Sequence, residues 1–129
     1  MSGRRRGGIK MKNEEYQIQK MVIQWFRLRY PDKLLNADVG GVWTRNYAQA
    51  IKNKCMGHSN GFPDLFIPEP NSKYHGLFIE LKSEKGHATP EQKEWIKNLN
   101  QRGYLAQVLY GFDETREYID GYLHDIKER

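Results

Sequence analysis

Glu80 and Lys82 stand two residues apart in the apolar run Gly76 to Lys82, GLFIELK. In a strand, side chains two apart share a face, so Glu80 and Lys82 project together while Ile79 and Leu81 point the other way. The near-continuous apolar character marks a central strand. A carboxylate and an ammonium side by side on such a strand are costly unless something uses them. Asp64 opens an earlier apolar run, 16 residues before Glu80. If the two runs pair through the turn that contains Pro68, Pro70, Asn71 and Ser72, Asp64 comes alongside Glu80. Two carboxylates held close repel and raise each other's pKa. A divalent cation removes that conflict. Ligation by carboxylates, a backbone carbonyl and waters suits Mg²⁺ or Mn²⁺.

The elements that must position these residues read as follows. Residues 13–30 predict an amphipathic helix, with Ile18, Met21, Val22, Trp25 and Phe26 on one stripe. Asn13 reads as its N-cap, Glu14 and Glu15 as first-turn acids, and Pro31 as its stop. Leu34 to Ala37 reads as a short strand, residues 45–55 as a short helix after the Gly40-Gly41 break, and Pro63 to Ile67 as a strand entered through a proline. Thr89-Pro90-Glu91-Gln92 carries a helix start, with a threonine N-cap, proline at N1 and glutamine at N3. Gly103 closes that helix, residues 104–110 form the next strand, and Asp113 caps a last helix with Ile119, Tyr122, Leu123 and Ile126.

Pro63-Asp64 followed by Glu80-Leu81-Lys82 resembles the PD-(D/E)xK motif of the restriction-endonuclease-like nucleases. Further segments are similar to the VRR-NUC family within that group: Glu15 to Gln19 to an E-x-x-x-Q helix, Asn36 to an Asn after the first strand, and Gly61 to Leu65 to a G-x-P-D turn. Phe78 to Lys82 resembles the core strand, and Thr89 to Trp95 the Ser/Thr-x-x-Gln-x-x-Trp helix. The match spans residues 14–110 in order.

The resemblance implies an α/β fold with an αβββαβ core, a mixed central sheet flanked by helices, plus a C-terminal helix. It implies a metal-dependent phosphodiesterase leaving 5′-phosphate and 3′-hydroxyl ends. Asp64, Glu80 and the Leu81 carbonyl would hold the metal, and Glu15 would reach it directly or through water. Lys82 would orient and polarise the attacking water, with Gln92 supporting Lys82 or the water. Each residue also has an ordinary structural use. Glu80 with Lys82 fits an exposed edge-strand pair, Asp64 an Asx turn and Gln92 a capping box alone. Helical geometry does not choose between Glu14 and Glu15; only the family spacing favours Glu15.

Charge distribution points to a polyanion. The 129-residue chain carries +5 overall: +5 over residues 1–12, +3 over 13–60, none over 61–112 and −3 over 113–129. Residues 1–12 lack periodicity and read as a disordered basic tail ahead of one domain, 13–129. Arg4, Arg5, Arg6, Arg45, Lys52, Lys54 and Lys85 are the phosphate-contact candidates. Cys55 is the only cysteine, which excludes an internal disulfide framework, and Cys55 with His58 lacks two further zinc ligands. His75 and His87 read as loop residues, Trp43 as core or a base-stacking ring, and Trp25 and Trp95 as core. The basic start has no apolar h-region, so a secretory signal and a membrane span are not expected, and the setting expected is cytoplasmic or host-cell intracellular.

These readings predict a small stand-alone DNA endonuclease, Mg²⁺- or Mn²⁺-dependent, acting on structured or branched DNA, with four-way junctions foremost. A homodimer is expected, since two symmetric nicks need two sites. The alternatives are a non-catalytic DNA-binding module of the same fold, and a nuclease for RNA or free DNA ends.

Overall fold

The computed structural model describes residues 2–38, 51–52, 55–57 and 59–125. Helix α1 runs Ser2–Arg29. Among its described side chains, Val22 and Phe26, one turn apart, are the fully buried ones, with Ile18 and Trp25 packed beside them and Met21 half exposed. The Tyr30 N–H to the Phe26 carbonyl is the last rung before Pro31 (2.7 Å).

The helix is longer than the apolar stripe foretells, and this corrects three expectations. Residues 2–12, expected as a disordered tail, continue the helix; Asn13 is not its cap; Glu14 and Glu15 are not in its first turn. The reason is cooperativity. Adding turns to a formed helix avoids the nucleation cost. Arg, Lys, Met and Ile also sustain a helix well enough to carry Gly3, Gly7 and Gly8, at about 1 kcal/mol each.

Strands β1 (Asn36–Ala37), β2 (Leu65–Ile67), β3 (Leu77–Lys82) and β4 (Leu105–Tyr110) form one mixed sheet in chain order. The first two pairings are antiparallel and β3 runs parallel to β4. Helix α2 (Pro90–Asn100) makes the crossover that a parallel pair requires, and α3 (Gly111–His124) ends the described chain. This is the expected αβββαβ core with its added helix. Of the short helix expected over 45–55, Ile51, Lys52 and Cys55 are helical; the rest, with Gly40-Gly41, lies outside the described residues.

All six residues of β3 are buried, so the sheet is covered on both faces. Leu77, Ile79 and Leu81 join Leu65 and Ile67 under α1 and α3, against Val22, Phe26 and Ile119. Phe78 faces α2, among Leu99, Ala106, Phe66 and Trp95, with the Phe66 and Phe78 rings stacked at 4.1 Å. Glu80 and Lys82 follow Phe78 on this α2 face.

The capping box at Thr89 forms as expected. Gly103 is required twice over: its φ is +90°, and a Cβ there would lie 2.6 Å from the His75 ring. Asp113 does not cap α3. Gly111, at φ +83°, lets the chain pass from β4 straight into α3. Asp113 then falls within the first turn, and Glu114 instead accepts the Tyr110 N–H at 2.7 Å. Among the described residues, no helix is long and apolar enough to cross a membrane.

Candidate active site

The register Leu65↔Ile79 between β2 and β3, continued one residue, sets Asp64 opposite Glu80. The chain leaves the ladder there, and Asp64 Oδ2 accepts the Leu81 N–H at 2.9 Å. Glu80 and Lys82 are only 2% and 6% exposed. They are a buried pair, not an exposed edge pair: Lys82 Nζ stands 3.3 Å from Glu80 Oε2.

Gln92 serves two elements at once. Its Oε1 accepts the Thr89 N–H (2.8 Å), closing the capping box, and its Nε2 donates to Glu80 Oε2 (3.0 Å). Because the cap needs the oxygen, the amide nitrogen must face Glu80. A residue placed by helix-start chemistry therefore supplies a donor to the buried carboxylate.

Glu15 reaches the same end of β3 from α1. It is half-buried, next to Lys82 and the Ser83 backbone N–H, whereas Glu14 is exposed. Gly86 makes this approach possible: a Cβ there would stand 2.9 Å from Glu15 Oε2 and 3.3 Å from Lys82 Cδ. The structure thus separates two glutamates that helical geometry alone left equivalent.

The electrostatics are those of crowded, buried acids. Burial, then the Asp64 charge, pushes the Glu80 carboxyl far up, against the opposing pull of Lys82. Asp64 is also raised, by burial first, with Asp38 adding to it and the Leu81 N–H and Lys82 opposing. Burial raises Glu15 despite Lys82. Glu80 Oε1 is buried and has no hydrogen-bond partner among the described residues.

A family model for the VRR-NUC domain matches residues 9–113. The chain belongs to the VRR-NUC family, a nuclease-type family. A solved structure described as a VRR_NUC domain protein is 31% identical and superimposes with a TM-score of 0.72, over 87% of this chain and 89% of that one. No curated protein matches the chain.

In this VRR-NUC domain, Asp64, Glu80, Lys82 and Gln92 come together, and Glu15 stands at their edge. Among the described residues no three His, Cys, Asp or Glu side chains form a ready metal cluster. The donors present still fit a hard divalent cation. They are two carboxylates, one with a buried orphan oxygen, and a backbone carbonyl at Leu81; family membership points to the same class of ion.

Lys85 and Lys52 are exposed, Lys85 on the turn between β3 and Gly86. Arg4, Arg5 and Arg6 lie in the first turns of α1, with their side chains outside the described residues, as are Arg45, Lys54, Trp43 and His58. His75 packs on Tyr104 and Gly103, away from the site, and His87 and Cys55 are exposed. Asn36 pairs with Phe66, two residues from Asp64, and is exposed. Sequence reasoning missed two neighbours. Asp38 donates its N–H to the Asp64 carbonyl (2.8 Å), and Ser83 has a buried hydroxyl with no partner among the described residues. Asp38 had a signal: an acid at the end of β1, in register with Asp64.

Proposed function

We propose that this VRR-NUC domain is a Mg²⁺- or Mn²⁺-dependent endonuclease for structured or branched DNA, with four-way junctions its foremost substrate. The observation that carries this reading is the buried Glu80, bracketed by Asp64, Lys82 and Gln92. An acid pair so desolvated and so poorly neutralised by the chain is a site waiting for positive charge.

Asp64, Glu80 and the Leu81 carbonyl would hold the cation, which when bound would supply charge that offsets the phosphate and favours ionisation of water. The chain does the rest. Lys82, buried and fixed by Glu80, keeps a positive charge where phosphate oxygens gain negative charge during in-line attack. It also orients the attacking water. Gln92 holds Glu80 in place, and Glu15 braces Lys82 from α1. Attack on phosphorus with departure of the 3′-oxygen gives 5′-phosphate and 3′-hydroxyl ends. The basic N-terminal half meets the polyanion, and the acidic end of the chain lies away from it in sequence.

The test is metal-dependent cleavage across four-way, flap, linear duplex and RNA substrates by the wild type and by Glu80→Gln, Asp64→Asn and Lys82→Ala. Each variant is expected to lose at least about 10²-fold in rate, because each removes a charge from the site; Glu80→Gln and Asp64→Asn keep the side-chain bulk, and melting curves check that Lys82→Ala, which also loses its stem, stays folded. Nicking by Glu80→Gln close to the wild-type rate overturns the assignment. Binding without cleavage by the wild type establishes the DNA-binding-module alternative, and preference for RNA or free ends establishes the other.

A further inference from the structure

The backbone hydrogen bonding around Pro63 carries an inference that rests on the metal-dependent reading above. The Gly76 carbonyl accepts the Leu105 N–H at 2.9 Å, so even-numbered residues of β3 direct their backbone groups toward β4. Odd-numbered residues, Leu77, Ile79 and Leu81, therefore direct theirs toward β2. On β2 the Asp64 carbonyl accepts the Asp38 N–H from the β1 side, so Pro63, Leu65 and Ile67 turn theirs toward β3. The observed pairs Ile67↔Leu77 and Leu65↔Ile79 continue to Pro63↔Leu81.

At that last step the ladder is chemically incomplete. Pro63 has no N–H to give to the Leu81 carbonyl. The Leu81 N–H, which would have gone to the Pro63 carbonyl, goes to Asp64 Oδ2 instead. Pro63 is itself fully buried, so water does not replace the missing donor from its side.

We infer that Pro63 is a positioning residue: by withholding an N–H it keeps the Leu81 carbonyl free of the β2 ladder and available to a divalent cation beside Asp64 and Glu80. Any other residue at 63 would offer the carbonyl a backbone donor. A neutral backbone hydrogen bond contributes about 0.5–1.5 kcal/mol net, so the competition should weaken cation affinity between about two- and tenfold.

The experiment uses the full chain and the variants Pro63→Ala and Pro63→Val, the second filling more of the volume that the ring vacates. Two readouts apply besides cleavage. In metal-free protein, hydrogen exchange at the new residue-63 amide reports whether it bonds into the ladder; slow exchange is expected, and free exchange in both variants overturns the inference. Mg²⁺ titration followed by the Leu81 carbonyl ¹³C shift and by calorimetry reports the competition. Affinity about two- to tenfold weaker than wild type in both variants is expected, and wild-type affinity in a variant with a protected amide overturns it. Wild-type protein that binds no Mg²⁺ overturns the metal reading itself, a result distinguishable because residue-63 exchange is measured without metal.

Discussion

Glu80→Gln should make the metal-free protein more stable at alkaline pH. Glu80 moves from an ordinary carboxyl value of 4.5 up to about 9, with burial the first cause and the Asp64 charge the second. The folded state therefore binds a proton that the unfolded state has released between those two values. Stability from this group is fully present below about pH 4.5 and is lost as pH rises toward 9; Asp64, also raised, acts with the same sign. At pH 8 the proton uptake costs about 1.36 kcal/mol for each unit above the unfolded pKa, an upper bound of about 5 kcal/mol. A glutamine copies the shape of the protonated acid and needs no proton. Relaxation around a buried charge lowers such figures, so we expect a gain of about 2 kcal/mol. For a 129-residue chain that is roughly 8 °C in Tm. Thermal melting of both proteins in EDTA at pH 4.5 and pH 8 reads this: a gap at pH 8 and little at pH 4.5. Saturating Mg²⁺ should shrink the gap, since it stabilises the wild type by about 2.7 kcal/mol at 100 times its Kd. A gap of the same size at both pH values, or no gap at pH 8, refutes the reasoning.

Three further outcomes follow from other parts of the chain. Deleting residues 2–12, which hold five basic residues and no acid, should weaken DNA binding and flatten the slope of log affinity against log salt by about 0.9 for each phosphate that is no longer neutralised. Single-turnover cleavage at saturating enzyme should stay near wild type. Gly86→Ala places a Cβ 2.9 Å from Glu15 Oε2 and 3.3 Å from the Lys82 stem. A misplacement of about 1 Å costs up to about 10²-fold in rate, so kcat should fall well beyond any change in melting temperature. The protein should form a two-fold homodimer that cuts four-way junctions faster than linear duplex, because one domain offers one site and a symmetric pair offers two nicks. Light scattering at micromolar protein, with a comparison of the two substrates, decides it, and a strict monomer on and off DNA sinks the idea.

What the sequence made legible follows from which signals are local. Strand β3 was readable because its apolar run has a period-2 interruption at Glu80 and Lys82, and α2 because Thr89, Pro90 and Gln92 act within one turn. The pairing of Asp64 with Glu80 was also readable, since a single turn joins their strands. The start of α1 was not. Residues 2–12 carry no apolar periodicity, and helix propagation from a formed segment requires none. Glu14 and Glu15 could not be separated for a related reason. The deciding feature is the bare backbone at Gly86, a contact across about 70 residues that no helical period encodes. Asp113 misled because the real entry to α3 depends on the φ of Gly111 rather than on a capping side chain.

Gln92 shows how closely fold and chemistry are joined here. In the sequence its two uses compete: it is either the third residue of a capping box or a member of the site. In the structure the first use sets up the second. Thr89 and its N–H fix the glutamine oxygen, and this leaves the amide N–H as the donor 3.0 Å from Glu80. A glutamate at this position would close the same capping box but would set a third acid against Asp64 and Glu80. The cap by itself admits Glu or Gln; the buried acid pair beneath it admits only the neutral one. Residue 92 is therefore specified by the site through the helix start. Motif residues that read as separate letters in the chain are, at this point, one hydrogen-bonded unit running from the Thr89 backbone to Glu80 and on to Lys82.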